Sequence, residues 1–176
     1  MTKIVNLQAY RTKTIEQRGF GPWSKRFGEL YNNETRLSDV SDKTLFFLAQ
    51  PGEDSAVAYY ELIMGILDLG EGLKFYYLGK KDQLTIMDIH LFLADQIRFE
   101  MMRRLGWLDS FPCDQHPLLD MVQHFDQVKI ACKDKHPELA STHHDFESYS
   151  KLMRQDKDIY IRRMFREALS SFKERL

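Results

Sequence analysis

Three side chains able to bind ligands or move protons stand inside otherwise apolar segments: Glu61, His90 and Arg98. On a helix over residues 86–105, Arg98 falls on the apolar side and His90 at its margin, while Glu61 interrupts the run AVAYYELIMGIL. Because a buried guanidinium needs a partner, Arg98 predicts either a structural ion pair or an anion-binding group. If Glu61 faces the other two, they form an interior polar site. Otherwise it belongs to a solvated stripe of acids spaced seven residues apart.

Histidine and carboxylate spacing gives a weaker indication of metal binding. The sequence has no HExxH and no Glu-x-x-His, so the di-iron carboxylate pattern is excluded. Asp120 and His124 stand one helical turn apart, and His143, His144 and Asp145 are consecutive. Either group could hold a metal, so a metal-dependent helical protein remains an alternative. The prediction is no metal site and no other cofactor.

The two cysteines, Cys113 and Cys132, are too few for a disulfide framework and form no CxxC pair, which predicts reduced, inert thiols. Residues 1–8 show no secretory signal pattern, and charged residues interrupt the most apolar windows. We therefore expect a cytoplasmic protein with no membrane partner. No phosphate-binding glycine loop and no nucleophile elbow is present, so no catalytic residue is predicted.

Charge is unevenly distributed along the 176 residues, although the net charge is only −1. Residues 1–28 carry six basic residues against one acid, residues 29–72 two against nine, and residues 151–176 eight against four. We expect a single helical domain over 1–176, in which basic helices at 1–31 and 157–176 pack on the acidic middle. Because these ends are patterned helices and not lysine-rich tails, a nucleic-acid partner is not expected.

The pattern of apolar residues predicts an all-α fold, a bundle of about seven helices around a central buried helix at 86–105. Gly19 to Pro22 is expected to break the N-terminal helix, which begins near Thr2. LKFYYL at 73–78 has the composition of a strand but no evident partner strand, so it could instead continue the helical array. Further helices are expected at 117–135 and 157–175. The expected buried side of the central helix consists of Met87, Leu91, Ala94, Arg98, Met101 and Leu105, with Asp88, Asp95, Gln96, Glu100 and Arg103 largely opposite.

Thr85 and Asp88 have the spacing of a capping box at the start of the central helix, which makes both residues structural. This box lies in KDQLTIMDIHLFLADQ, which is followed by HPLLDMVQHF. The pair of segments, over 79–130, resembles the C-terminal helical domain of glutathione S-transferases. The resemblance implies a pattern of helix packing and no catalytic residue. Residues 1–50 lack the βαβ pattern of the thioredoxin-like domain that accompanies it in that family.

Abundant aromatic residues and methionines, the separated charges and the missing catalytic motifs together predict a non-enzymatic helical protein that associates with itself, as a dimer. It would act through an interface or by holding an apolar ligand. The alternative is a ligand-binding protein or enzyme with an interior polar site at Arg98, His90 and Glu61, binding an apolar or anionic small molecule. The sequence does not decide between them.

Overall fold

A computed structural model describes residues 6–176 of the chain. Its α-helices, in chain order, are α1 (Leu7–Phe27), α2 (Asp42–Ala49), α3 (Glu53–Leu67), α4 (Lys80–Arg104), α5 (Leu118–Gln123), α6 (Phe125–Ala131), α7 (Phe146–Ser150), α8 (Arg154–Arg163) and α9 (Phe165–Arg175). Leu37–Asp39 and Gly72–Tyr77 form 3₁₀ helices. Two short strands, β1 (Leu108–Ser110) and β2 (Glu138–Leu139), pair antiparallel. The all-α prediction is confirmed, with this small sheet as an unpredicted addition.

The N-terminal helix is continuous where a break was predicted. Asn6 caps α1 by accepting hydrogen bonds from the amides of Gln8 and Ala9, and α1 runs through Pro22 to a left-handed Gly28. The predicted start at Thr2 lies outside the described residues. Proline costs a helix one hydrogen bond, but side chains on both sides of Pro22 fasten α1 to α3. The prediction of two helices was wrong because these tertiary contacts offset the cost of the proline.

Helices α1 and α3 approach so closely that their contact is made by backbone atoms. A Cβ atom on Gly65 of α3 would lie 2.3 Å from the carbonyl oxygen of Arg18, and one on Gly19 would lie 2.5 Å from the Ile66 side chain. Trp23 Nε1 donates to the carbonyl oxygen of Ala58 at 2.7 Å. Ala58 and Gly65 are small residues on the face of α3 that meets α1, and they allow this close approach.

Helix α4 lies at the centre of the fold and packs against α2, α3, α5, α9 and β1. Its buried face contains the apolar residues Ile86, Ile89, Leu93, Ile97 and Met101. Two polar residues of α4, Gln96 and Glu100, are also buried. The predicted buried side was wrong at Met87 and Leu91, which are exposed. Apolar residues occur on more than one face of α4, so periodicity did not identify the face that meets the core.

The predicted capping box at Thr85 and Asp88 is absent. Helix α4 begins a turn and a half earlier, at Lys80 after Gly79, so both residues lie inside it. The Thr85 hydroxyl donates back to the Lys81 carbonyl at 3.1 Å, and Asp88 is exposed. Lys80, Lys81, Gln83 and Leu84 are good helix formers, and Asp82 suits the first turn, so the helix extends in the N-terminal direction past the predicted cap.

The segment at 73–78, which the sequence left open between strand and helix, belongs to the 3₁₀ helix Gly72–Tyr77, and its Phe75 stacks on Tyr60 of α3 with ring centroids 4.2 Å apart. Two helix boundaries also differ from the predictions. The helix predicted over 117–135 is divided at His124, and the last helix is divided at Met164.

Ion pairs join the terminal helices to the middle of the chain. From α1, Arg26 pairs with Glu61 at 2.7 Å, and Arg18 lies 3.5 Å from Asp68. From the C-terminal end, Arg175 pairs with Asp42 at 3.1 Å, and Arg162 pairs with Asp95. In each pair the basic residue comes from a terminal helix and the acid from residues 42–95.

Candidate functional site

The structure does not bring Glu61, His90 and Arg98 together. The Glu61 carboxylate accepts two hydrogen bonds from the Arg26 guanidinium, at 2.7 and 3.2 Å. The Arg98 guanidinium carbon lies 5.6 Å from the centre of the Phe165 ring, a cation–π contact. No ion pair of Arg98 is found within residues 6–176. Among the described residues, Arg98 thus packs on an aromatic ring and does not form the ion pair that was one of the two predictions for it.

His90 is packed among aromatic side chains. Its ring centroid lies 4.5 Å from that of Tyr59 and 5.5 Å from that of Tyr60. Burial, with the positive charge of Arg98 as a smaller cause, lowers the pKa of His90 below its ordinary value. The hydroxyl of Tyr59 is bound to the Leu48 carbonyl at 2.8 Å, and burial raises its pKa. Near neutral pH, His90 is therefore an uncharged aromatic member of the core.

A cleft of about 780 Å³ lies between α1 and α3, beside Glu61. Half of its lining residues are charged, with the cations on α1 and the acids on α3 and the segment after it: Arg18, Lys25, Arg26, Glu61, Asp68 and Glu71. Four of these six charges are paired with one another, as Arg18 with Asp68 and Arg26 with Glu61. The rest of the lining consists of glycines, Pro22 and Leu73, so the cleft presents apolar surface between two rows of opposite charge.

His143, His144 and Asp145 offer three ligand atoms within 4.8 Å of one another. However, the two imidazole rings are stacked, with centroids 4.3 Å apart and planes inclined by only 26°. His143 Nδ1 accepts the amide hydrogen of Asp145 at 3.1 Å, so that nitrogen is not free to bind an ion. Asp120 and His124 are not part of this cluster, so of the two arrangements considered only His143, His144 and Asp145 bring three ligand atoms together among the described residues.

A buried charge cluster that sequence reasoning placed on a solvated face lies at the end of α4. Glu100 accepts hydrogen bonds from Arg103 at 2.8 Å and from Arg104 at 2.8 Å. Arg104 also donates to Asp42 at 2.8 Å and to the carbonyls of Leu37 and Val40. The spacing of Glu100 to Arg103 and Arg104, three and four residues, is the sequence signal that could have revealed it. With every charge paired, the cluster is a structural element.

An exposed apolar surface covers the first half of α4 and the 3₁₀ turn before it. Six of the thirteen large hydrophobic side chains that are exposed among residues 6–176 belong to this surface. We call it the apolar strip, and its members are Leu73, Tyr76, Tyr77, Leu84, Met87 and Leu91. Tyr77 is 88% exposed and Leu91 63% exposed. The strip is the largest grouping of exposed apolar side chains along the described chain.

No protein-family model, curated protein or solved structure matches the chain. The resemblance of residues 79–130 to the C-terminal domain of glutathione S-transferases stays a prediction about helix packing. Within the described part of the chain, no helix is both long enough and apolar enough to cross a membrane.

The apolar strip has a recognisable sequence signal. Leu84, Met87 and Leu91 follow one another at spacings of three and four residues, so they share one stripe of a helix. Met87 and Leu91 of this stripe were assigned to the core because most apolar stripes are buried. The second apolar stripe of the same helix, at Ile86, Ile89 and Leu93, is the one that meets the core.

Proposed function

We propose that this chain is a non-enzymatic helical protein that forms a homodimer through the apolar strip. The observation that carries the proposal is the grouping of six exposed apolar side chains, two of them tyrosines, at residues 73–91. Soluble monomers rarely expose large contiguous apolar patches, and such patches commonly mark interaction surfaces. Tyrosine is also among the residues that contribute most to binding at interfaces.

The two parts of the apolar strip are held together. The side-chain amide of Gln83, in the first turn of α4, donates to the carbonyl oxygen of Phe75 at 3.1 Å. Tyr60 of α3 stacks on Phe75 and also touches His90 of α4, with ring centroids 5.5 Å apart. These contacts fix the position of the 3₁₀ turn relative to α4, and we propose that the exposed side chains of both form one preformed surface. A preformed surface loses little conformational entropy when it binds.

Charge on the flank of the strip favours a second copy of the same chain as its partner. Lys81 and Asp88 are seven residues apart on α4, so they lie on the same flank of the helix, and both are exposed. If two α4 helices cross antiparallel between residues 84 and 85, each Lys81 lies level with Asp88 of the second copy. Two opposite-charge pairs would then border the apolar contact.

The other predicted functions have less support. The interior site at Arg98, His90 and Glu61 has no converging geometry, because each of the three is occupied by a different neighbour. In the cleft between α1 and α3 four of the six charged side chains are paired with one another, which leaves few charged groups free to orient an anionic ligand. We further propose a cytoplasmic location, since a chain with two free thiols and no disulfide framework is typical of a reducing compartment.

Replacing Leu91 with glutamate is expected to separate the dimer. A charged side chain on the α4 part of the strip would have to be buried without a partner, so the dimer dissociation constant should rise at least about 30-fold. Sedimentation velocity over a dilution series measures this constant. Ile130→Glu is the matched control, because Ile130 is 73% exposed on α6 and lies outside the strip. It should remain dimeric.

The register of the dimer is tested by charge reversal. Lys81→Glu and Asp88→Lys should each weaken association, since each places like charges opposite one another, and the double variant should restore it. A wild-type chain that stays monomeric at every concentration, or a Leu91→Glu variant that dimerises like wild type, would contradict the proposal. In the first case the strip would serve a different partner.

A further inference from the structure

The two cysteines, 19 residues apart in the sequence, are in contact inside the fold. The Sγ atoms of Cys113 and Cys132 lie 2.7 Å apart, and both residues are free and buried. A disulfide bond measures about 2.05 Å, so the sulfurs are less than 1 Å from bonding distance. Because neither cysteine belongs to a CxxC motif, the sequence contained no signal for this pair.

Hydrogen-bonded backbone on both sides positions the pair. Cys132 follows the last residue of α6, and its backbone amide donates to the Val128 carbonyl at 3.0 Å. In the turn after β1, the backbone carbonyl of Cys113 accepts a hydrogen bond from the His116 amide at 3.1 Å. Cys132 Sγ also lies 3.4 Å from the carbonyl oxygen of Pro112. The two segments are therefore joined at this point, and bond formation requires only a small displacement of two side chains.

We propose that Cys113 and Cys132 are a redox modification site, at which a peroxide oxidises the two thiols to a reversible intramolecular disulfide. One sulfur attacks a peroxide oxygen, the O–O bond breaks, and a sulfenic acid and one water form. The second sulfur then displaces the sulfenic hydroxyl, which leaves as a second water with the remaining thiol proton. The sulfurs lose two electrons and hydrogen peroxide gains them. A dithiol reductant reverses the change by thiol–disulfide exchange.

The difference in exposure between the two cysteines indicates which sulfur reacts with the peroxide first. Cys132 is 6% exposed, whereas Cys113 is 0% exposed. Burial, with the neighbouring Cys132 as a further cause, raises the pKa of the Cys113 thiol. Cys113 thus stays protonated and out of reach, and Cys132 meets the peroxide first. Cys113 is then the resolving thiol, which protects the sulfenic acid on Cys132 from further oxidation.

The test is treatment of the reduced, folded chain with hydrogen peroxide, followed by alkylation and mass spectrometry under denaturing, non-reducing conditions. The expected product is a single chain lighter by two hydrogen atoms. Trypsin should release its peptide 105–129 linked to its peptide 130–133, since each contains one of the cysteines. Dithiothreitol should restore both thiols.

Two serine variants separate the roles of the sulfurs. Cys113→Ser should leave Cys132 oxidised by added oxygen without any link, because the resolving thiol is gone. Cys132→Ser should keep its Cys113 thiol unmodified until the chain is unfolded. The proposal would be overturned by a folded chain that keeps both thiols, by oxygen addition to wild type without a link, or by disulfides that join separate chains.

Discussion

Replacing Arg104 with methionine is expected to lower the free energy of unfolding by about 3–5 kcal/mol, because it removes one partner from a buried ion pair. The Arg104 side chain is 11% exposed, and the Glu100 carboxylate that it binds is 1% exposed. The substitution leaves Glu100 with one cation and leaves the carbonyls of Leu37 and Val40 without their side-chain donor. Urea denaturation followed by tryptophan fluorescence, from Trp23 and Trp107, measures the loss.

The neighbouring residue supplies a matched control. Arg103 binds the same carboxylate with two hydrogen bonds of 2.8 Å, but its side chain is 37% exposed. Because solvent screens the ion pair of this partly exposed side chain, Arg103→Met should lower the free energy of unfolding by only about 1 kcal/mol. Equal losses in the two variants would show that burial does not govern this cluster. Combining Arg104→Met with Glu100→Met should cost less than the sum of the single changes, because no buried charge is then left unpaired.

The same charge cluster also joins segments that are distant in the sequence. Arg104 joins α4 to the 3₁₀ helix before α2 and to Asp42 of α2. Arg175 of α9 then binds Asp42 at 3.1 Å and the Arg104 carbonyl oxygen at 2.5 Å. The cluster thus connects the C-terminal helix with the centre of the fold.

Helical character could be predicted from the sequence because it depends on local patterns. The spacing of apolar residues and the scarcity of glycine and proline were sufficient for the all-α class. Local sequence does not determine which of the two apolar stripes on α4 faces the core. Leu84, Met87 and Leu91 could have faced the core as readily as Ile86, Ile89 and Leu93, and the packing of α2, α3, α5 and α9 against α4 decides between them. Met87 and Leu91 were therefore assigned to the interior, although both are exposed.

Pairings between distant residues were unpredictable for a similar reason. Glu61 lies near Arg26 and not Arg98 because α1 crosses α3, and the crossing depends on glycines in both helices. Cys113 and Cys132 meet only because the chain turns back after β1. Such contacts follow from the tertiary arrangement and leave no periodic pattern in one sequence.

Replacing Gly65 with alanine is expected to lower the free energy of unfolding by about 3 kcal/mol, since the new methyl group forces two tightly packed helices apart. Pro22 has no amide hydrogen, so the Arg18 carbonyl lacks its usual donor within α1 and faces α3 at this position. The Cβ atom introduced by Gly65→Ala would lie 2.3 Å from that oxygen and 3.0 Å from Gly19 Cα. These are backbone atoms, which no change of rotamer can relieve.

A loss of stability in Gly65→Ala would be informative, because alanine normally stabilises a helix relative to glycine by about 1 kcal/mol. Gly21 of α1 provides the matched control, since a Cβ atom there would meet nothing within 4 Å apart from its chain neighbours. A Cβ atom at position 21 does meet the Cδ of the neighbouring Pro22, which offsets the helix preference of alanine, so Gly21→Ala should change the free energy of unfolding by less than about 1 kcal/mol. Thermal and urea unfolding should show a large loss for Gly65→Ala alone if the close approach of α1 and α3 holds this part of the fold together. Stabilisation by Gly65→Ala would mean that the two helices can separate at little cost, and that the Trp23 and Arg26 contacts alone position them.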